Sequence, residues 1–330
     1  MQKNSERTVL HFDVKLEASA SAGQHGTYRG LTPLPLVDVL RHVERLFAKG
    51  NLLARESRSR AELCYLADIR VNKAPGYAEL LINRSDKNAP DLVLSEPKLK
   101  SRRLINKVNE EGSDFSAHIV FKLAEVAPNT YRVGLEQSPG LPSSKVERFL
   151  NLLLRVCSRE YRSEMLRPHP TQPFDKDGKP RVVGLKHKFI FKGHPSKYLL
   201  SDLESGTLDS LELIDQKQKA RHWDSNGYIV EESRIIRLKQ APKGIKGKVI
   251  DAIEAVCAQG KRSKLELLRV RFTSSDGLPR KLEFDTYDAE VVNDEQYIQK
   301  EIISNFPNPL PSSFATLEPE VMKRMRSLVK

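Results

Sequence analysis

The stretch at residues 62–83, ELCYLADIRVNKAPGYAELLIN, decides the fold class of the first half of the chain. Its two ends, 62–71 and 77–83, are apolar-rich segments of strand length, and Pro75-Gly76 between them is a turn signal. Strands joined by so short a connection pair in antiparallel fashion. The stretch therefore predicts a β-hairpin of an antiparallel sheet.

The segments on either side of this hairpin predict further elements of the same domain. Residues 7–16 (RTVLHFDVKL) alternate apolar and polar side chains from Val9, which indicates a half-buried strand. The other elements that we expect in the first half are a helix from Pro33 to about Lys49, a basic helix over 98–111, strands 116–124 and 130–137, and a long helix from Pro142 to about Met165.

The second half repeats this mixture of strands and helices. Its apolar patterns predict strands 182–192, 207–215 and 228–239, helices 195–205 and 243–258, and a hairpin of 264–273 with 279–287. Asp276-Gly277 is a favourable turn dipeptide for that hairpin. A proline-rich tail after residue 307 leads into a short basic helix over 318–330.

Prolines and glycines concentrate between residues 167 and 184, which is typical of a linker rather than of an element interior. We therefore expect an N-terminal α+β domain over 1–166, a proline-rich linker or arm over 167–181, and a basic C-terminal α+β domain over 182–330. A chain of 330 residues is long enough for two such domains. The predicted fold class is α+β, with two domains that each contain an antiparallel sheet and packed helices.

The composition excludes several classes of protein. The mean hydropathy is −0.49 and no apolar run has the ~18 residues of a spanning helix, so we expect no integral membrane protein. The polar first seven residues lack the apolar core of a signal peptide. The three cysteines lie far apart, which argues against a disulfide framework or a cysteine zinc site. These features favour a cytoplasmic protein.

The positive charge is large and unevenly distributed. Lys and Arg number 55 against 43 Asp and Glu, a formal net charge of +12. Segment 179–197 has six basic residues and no acid, 217–248 has a net charge of +6, and 261–281 has +5, whereas 282–301 has −6. Segregated cations of this kind are typical of a surface that binds a polyanion, such as nucleic acid.

Motifs for catalysis are missing from the sequence. The nearest approach to a phosphate-binding loop, residues 242–248 (PKGIKGK), has the wrong glycine spacing and is followed by Val249 instead of Ser or Thr. We therefore expect no enzyme, no cofactor and no metal. A metal-dependent nuclease stays open as an alternative, because Asp86 with Glu96-Pro97-Lys98, or Asp209 with Asp215-Gln216-Lys217, partly matches its pattern of carboxylates and lysine. A further alternative is an adaptor that binds an acidic protein or an anionic membrane.

Two basic constellations in the second half point to phosphate. The predicted helix after Arg234–Lys239 has Lys243, Lys246 and Lys248 in its first turn, where the helix dipole disfavours cations unless an anion lies there. Trp223, the only tryptophan, follows three cations and is a candidate for stacking on a base. The predicted DNA-binding residues are Lys179, Arg181, Lys186, Lys188, Lys217, Lys219, Arg221, Trp223, Arg234, Arg237, Lys239, Lys243, Lys246, Lys248, Lys261, Arg262 and Lys264.

No recognition helix for base edges stands out, so the expected contacts are to phosphates. Such contacts give little sequence preference and an affinity that falls steeply with salt, with a slope of about −0.9 per neutralised phosphate on duplex DNA.

The order of short phrases along the chain has a counterpart in a known family. In the second half, GTLDSLEL at 206–213 precedes the basic strand, the lysine-led helix at 245–258 and the hairpin around Ser275-Asp276-Gly277. In the first half, YAELLINR at 77–84 and YRVGL at 131–135 lead through Ser138-Pro139-Gly140 to the helix at Ser143-Ser144. This order resembles that of the RexA-like phage-exclusion proteins.

The resemblance implies specific properties. RexA-like proteins are two-domain homodimers that bind duplex DNA without sequence preference, and their sheet-and-helix domain is related to that of RdgC. They act in abortive infection, an antiviral defence, beside a small membrane-protein partner. The resemblance therefore predicts a cytoplasmic homodimer that binds double-stranded DNA and acts without catalysis.

Overall fold

The structure is a computed structural model. It describes residues 3–21, 27–57, 59–74, 76–171, 174, 177–205, 207–215, 234–238, 249–263, 265–274, 277–286, 291–292, 295 and 297–329.

The described elements follow one another in this order: β1 (Glu6–Ser21), β2 (Thr27–Leu31), α1 (Leu36–Phe47), β3 (Ala54–Glu56), β4 (Glu62–Asn72), β5 (Tyr77–Asp86), β6 (Leu92–Glu96), β7 (Ser101–Ile105), β8 (Ser113–Ala127), β9 (Thr130–Glu136), α2 (Ser143–Glu160), β10 (Leu166–Pro168), β11 (Val182–Gly193), α3 (Lys197–Ser205), β12 (Thr207–Asp215), β13 (Arg234–Leu238), α4 (Val249–Arg262), β14 (Leu267–Thr273), β15 (Pro279–Asp285), β16 (Val291–Val292), β17 (Lys300–Ser304) and α5 (Pro319–Leu328). The fold class is α+β, as the sequence predicts. None of the described helices has the length and apolar character needed to cross a membrane.

The chain forms two compact units. The first unit comprises residues 1–191 and 301–330, and the second comprises 192–300. This division differs from the one that the proline-rich segment predicts, because residues 182–191 and the C-terminal 30 residues belong to the first unit. The second unit is thus an insertion into the first.

The sheet of the first unit has the strand order β11-β1-β9-β8-β5-β4-β3. The predicted hairpin at 62–83 is confirmed, since β4 and β5 pair antiparallel with Asn72 opposite Tyr77. Strand β5 then pairs with β8, and β8 with β9, all antiparallel. Every residue from Ala78 to Arg84 is buried, because the middle of this sheet is covered on both faces.

Helix α5 and the tail before it cover one of those faces. The stripe Val321, Met322, Met325 and Val329 packs with Val9, Leu81 and Val120 of the sheet, and all seven side chains are buried. Burial of apolar area at ~25 cal/mol per Å² stabilises this arrangement. The apolar face of the helix therefore explains why the chain returns to the first unit after the second.

A buried polar network fixes the same tail. Glu136 Oε1 lies 2.8 Å from Arg7 Nε, and Glu136 Oε2 accepts a hydrogen bond of 2.6 Å from His118 Nδ1. The tail completes the network, since Arg7 Nη2 donates to the Pro311 carbonyl at 2.7 Å and the Glu318 amide donates to His118 Nε2 at 3.2 Å. Buried charges of this kind are stable only when every partner is present.

The second unit is an antiparallel sheet with helices on one face. Its strands have the order β13-β12-β14-β15-β16. Helices α3 and α4 pack on the sheet through Leu203, Ile253 and Cys257 against Leu213, Leu268, Val270 and Phe272. The predicted hairpin of 264–273 with 279–287 is confirmed as β14 and β15, with Thr273 opposite Pro279.

The helix predicted over residues 98–111 is wrong. Strands β6 and β7 instead form a separate two-stranded sheet with Leu92 opposite Ile105 and Glu96 opposite Ser101. Residues 98–111 carry five basic residues, which suits an exposed helix, but Leu92–Leu94 offers apolar residues to pair with Leu104 and Ile105 across strands. We call residues 92–105 the ribbon.

Candidate nucleic-acid interface

One face of the sheet in the second unit carries a group of charged side chains. Along β14, Leu268, Val270 and Phe272 are buried under the helices, so the alternation of a strand sends Arg269 and Arg271 to the opposite face. We call that opposite side the outer face. The charged residues on it that contact one another are Glu212, Arg237, Arg269, Arg271, Lys281 and Glu283, while Asp285 on the same side lies 3.4 Å from Lys192 Nζ.

The strand register places these residues in two neighbouring rows. The first row crosses four strands, because Arg237 is opposite Glu212, Glu212 is opposite Arg269, and Arg269 is opposite Glu283. In the second row Arg271 lies between Ser210 and Lys281. Residues directly opposite each other on one face have their Cβ atoms about 5 Å apart, so these side chains form one continuous cluster.

Glu212 is the centre of this cluster. Its carboxylate oxygens lie 3.3 Å from Arg237 Nε, 3.4 Å from Arg269 Nη1 and 3.9 Å from Arg271 Nη2. Glu283 Oε1 is 2.9 Å from Arg269 Nη2 and 3.6 Å from Lys281 Nζ. The hydrogen bond to Glu283 is the main cause that raises the pKa of Arg269 above its ordinary value.

Burial separates the members of the cluster into a base and an exposed rim. The Glu212 side chain is only 8% exposed, whereas Arg237 is 83%, Lys281 57% and Arg271 53% exposed. The four cations face two carboxylates, so the outer face keeps a surplus of positive charge at its exposed rim. The buried acid lies within 4 Å of all three guanidinium groups, and the side chains of Arg237 and Arg271 remain more than half exposed.

The structure places four of the predicted DNA-binding residues in the second unit. Arg234 and Arg237 lie on β13, which pairs with β12, and both are exposed. Lys261 and Arg262 are exposed in the last turn of α4. The helix dipole favours cations at that end, so these two residues have a structural role there without any ligand.

Four more predicted residues belong to the first unit. Lys179 and Arg181 are exposed residues before β11. Lys186 and Lys188 are exposed on β11, where they alternate with the buried side chains of Leu185, His187 and Phe189. This alternation confirms the strand that the sequence predicts, and it shows why a basic strand can also contribute to a core.

The remaining predicted residues lie outside the part of the chain that the structure describes. They are Lys217, Lys219, Arg221, Trp223, Lys239, Lys243, Lys246, Lys248 and Lys264. The phosphate site at the start of the lysine-led helix and the stacking role of Trp223 therefore stay predictions.

Arg269, Arg271 and Lys281 are functional candidates that the residue-level prediction missed, although they fall in the basic segment 261–281. The signal for them is present in the sequence LLRVRFT at 267–273, where arginines alternate with apolar residues. In a half-buried strand this pattern sends both arginines to the same side. The contribution of Glu212 has no comparable local signal, because it depends on the pairing of β12 with two other strands.

The carboxylates of the nuclease hypothesis have other partners. Asp86 Oδ2 accepts a hydrogen bond of 2.6 Å from Arg84 Nη2, while Glu96 is an exposed residue of the ribbon. Asp209 Oδ2 accepts a hydrogen bond of 3.2 Å from the Thr273 hydroxyl. Within the described residues, no three His, Cys, Asp or Glu side chains are grouped so that they could hold a metal ion.

The three cysteines are buried and form no disulfide. Burial raises the pKa of the thiols of Cys64 and Cys157 to about 12 in both cases. These two side chains therefore stay protonated at neutral pH and behave as small apolar residues of the core.

Comparison of the chain with protein-family models, with curated proteins and with solved structures gives no match. The resemblance to RexA-like proteins stays a prediction.

Proposed function

We propose that this protein binds double-stranded DNA without sequence preference, through the outer face of its second unit, and acts by binding and not by catalysis. The observation that carries the proposal is the exposed rim of Arg237, Arg271 and Lys281 around the buried carboxylate of Glu212. The DNA backbone offers a continuous row of phosphates that such a rim can contact.

The composition of the rim supports phosphate as the ligand. Arginine donates through a planar fork that matches two phosphate oxygens, whereas the lysine ammonium acts as a point charge. Strand alternation places Arg269 and Arg271 about 7 Å apart on the same face, since each residue of a strand advances by ~3.4 Å. Arginines at this repeat suit contacts with successive phosphates, and the sequence offers no recognition helix for base edges, so the expected binding is indifferent to sequence.

The formal charge of the whole chain supports the same function. A net charge of +12 raises the local concentration of polyanions around the protein. A single surface cluster with a local surplus of about two charges gives weak binding by itself. We therefore propose that a homodimer binds, because two copies of the outer face engage one duplex with a higher effective affinity.

The experiment is a salt series of DNA-binding isotherms with unrelated duplexes. We expect the triple variant Arg237→Ala, Arg271→Ala and Lys281→Ala to lower the affinity at least ~10-fold at low salt and to reduce the magnitude of the salt slope by about 2–3. The control variant Lys3→Ala, Lys15→Ala and Lys323→Ala removes the same charge from exposed positions of the first unit. We expect the control to bind nearly as the wild type does.

Three outcomes would contradict the proposal. Equal loss of affinity in the triple variant and the control would mean that total charge matters and the outer face does not. Cleavage of plasmid DNA by the wild type in the presence of Mg²⁺ or Mn²⁺ would favour the nuclease alternative, and retention on anionic vesicles with no binding to DNA would favour the adaptor.

We also propose that this DNA binding serves in phage exclusion. The support for this role is the order of sequence phrases that the chain shares with RexA-like proteins. In that role the protein acts in the cytoplasm beside a membrane-protein partner. The test is the efficiency of plating of a panel of phages on cells that express the wild type or the triple variant. Protection that survives the triple substitution would separate exclusion from DNA binding.

A further inference from the structure

The ribbon is the most exposed regular structure of the first unit. All residues from 91 to 106 are exposed, although six of them are large and apolar: Leu92, Val93, Leu94, Leu99, Leu104 and Ile105. Exposed apolar side chains concentrated in one element mark a surface that meets a partner. A two-stranded hairpin is also only marginally stable by itself, so an element of this kind is typical of an arm that becomes ordered further on binding.

The charge of the ribbon identifies the class of that partner. Lys98, Lys100, Arg102 and Arg103 stand against the single acid Glu96, which gives residues 92–105 a net charge of +3. The apolar pairs lie towards the base, with Leu92 opposite Ile105 and Val93 opposite Leu104. The cations lie towards the tip. Cations at the tip and apolar side chains at the base fit a partner that has negative charge on its outside and apolar surfaces, such as base faces, within it.

The tip of the ribbon is a fixed turn that presents one apolar side chain. Pro97 begins a short 3-10 turn, and the Lys100 amide donates to the Pro97 carbonyl at 3.2 Å. Lys100 has a left-handed backbone with φ of 50°, which reverses the chain. Leu99 lies between the two lysines and is 69% exposed.

The base of the ribbon is anchored to the sheet of the first unit. Lys107 Nζ donates to the carbonyl oxygens of Lys87, at 2.7 Å, and Ala89. The Lys107 amide donates to Asp91 Oδ1 at 3.3 Å, and this bond ties the two ends of the ribbon together. A fixed base and an exposed tip are the properties of an arm that reaches out from a rigid body.

We propose that the ribbon is a DNA arm that enters the minor groove of a duplex and inserts Leu99 between two base pairs. The inference rests on the proposed DNA binding and adds a second contact and a consequence for the shape of the DNA. Two-stranded ribbons fit into DNA grooves, and apolar wedges inserted from the minor groove unstack a base step and kink the duplex. Lys98 and Lys100 on either side of the wedge contact the phosphates that flank the kink.

The experiment measures DNA bending and unstacking separately from affinity. We expect the wild type to raise the energy transfer between dyes at the two ends of a short duplex and to raise the fluorescence of 2-aminopurine at the inserted step. In Leu99→Ser both signals fall to less than half, while affinity changes by about threefold or less because the loss of the wedge also removes the cost of unstacking. The matched control is Leu52→Ser, since Leu52 is an exposed leucine of the same unit at 68%.

Each outcome distinguishes the arm from the proposed function on which it rests. A wild type that binds DNA without bending it, or a Leu99→Ser variant that bends DNA as the wild type does, overturns the arm and leaves DNA binding intact. A wild type that binds no duplex overturns both. A change in the sedimentation coefficient of Val93→Ser with Leu104→Ser, with DNA bending unchanged, would assign the ribbon to contact with a second copy of the chain and overturn the arm.

Discussion

Each of the two units contains a buried glutamate paired with basic side chains, and the two clusters differ in the exposure of those side chains and in the ratio of cations to acids. In the first unit, Glu136 is paired with Arg7 and His118, and the side chains of Arg7 and Glu136 are 1% exposed. In the second unit, Glu212 is similarly buried, but the arginines around it are open to solvent. One cluster is closed by its own chain, and the other leaves donors available.

This difference shows how the same residue types can have a structural role in one place and be available for binding in another. The buried cluster has its donors and acceptors matched within the fold, and the C-terminal tail supplies the last partners. Among the described residues, the cluster on the outer face joins four cations to two carboxylates, so part of its positive charge has no acid beside it there. The exposure of the cations and their number relative to the acids therefore indicate whether such a cluster is structural or available for binding. The presence of an Arg–Glu pair alone does not.

The largest expected effect follows from opening the closed cluster. Arg7→Met removes one partner and leaves the Glu136 carboxylate buried with only His118, so we expect a loss of about 3–5 kcal/mol in the free energy of unfolding. Arg237→Met on the outer face is the matched change, and its expected cost is ~1 kcal/mol or less because the pair is exposed. Urea denaturation followed by circular dichroism measures both. Equal losses would contradict the distinction between the two clusters.

The next effect concerns pH and is confined to the first unit. His187 is buried and its Nε2 accepts a hydrogen bond of 3.1 Å from the Leu34 amide. Burial, with smaller contributions from the nearby His42 and Arg167, lowers the pKa of His187 to about 4. Between the ordinary pKa of about 6.5 and this value, the unfolded chain binds a proton that the folded chain does not.

This contribution is complete above pH ~6.5 and is lost as the pH falls towards 4, by about 3 kcal/mol in total. His187→Gln keeps an acceptor for the Leu34 amide without a titrating ring, so we expect it to flatten this part of the pH profile. Denaturation at a series of pH values tests this result. The arginines of the outer face stay charged over the same range. A variant that keeps the wild-type slope would assign the pH dependence to other groups.

A smaller effect concerns the affinity of the outer face for DNA. Glu212→Gln removes one negative charge from the outer face but keeps oxygen and nitrogen atoms near the arginines. We expect the affinity for duplex DNA to rise about three- to tenfold at low salt, and the gain to shrink as salt screens the charge. Glu17→Gln is the control, because it removes an exposed negative charge from the first unit and should leave the affinity nearly unchanged. Weaker binding by Glu212→Gln would show that the acid is needed to position the arginines.

The smallest effect tests the cations at the end of α4. The substitutions Lys261→Ala and Arg262→Ala remove charges that the helix dipole favours. We expect each of them to lower the free energy of unfolding by about 0.3–1 kcal/mol at low ionic strength. If their role is only this one, DNA affinity stays within about twofold of the wild type. A large drop in affinity would extend the binding surface to this helix end and restore their predicted role.

Much of the fold is predictable from local patterns. The hairpins at 62–83 and 264–287 have turn dipeptides between strand-like segments, and both form as the sequence predicts. The return of the tail to the first unit is not predictable in this way. It depends on Leu81, Val120 and His118, which are distant in sequence from the residues that meet them, in α5 and at Glu318 just before it.

The ribbon and the outer face show two different limits of prediction from sequence. The basic segment 98–111 is compatible with an exposed helix when taken alone, and only the pairing with Leu92–Leu94 changes that outcome. For the outer face, the alternation around Arg269 and Arg271 is visible in the sequence, whereas the approach of Glu212 requires knowledge of which strands are neighbours. Local periodicity predicts which side chains share one face of a strand. Which residues surround that face depends on long-range strand pairing.

The insertion of the second unit into the first has a consequence for synthesis on the ribosome. The sheet of the first unit needs β17 and α5 for its covered face, and both are translated after residues 192–300. At ~5–20 residues per second, translation from residue 192 to the end of α5 takes roughly 7–27 s, and during this time Val9, Leu81 and Val120 stay uncovered. We therefore expect the nascent chain to be most accessible to chaperones during this interval. A premature stop after residue 300 would leave the apolar face of the sheet exposed and prone to aggregation.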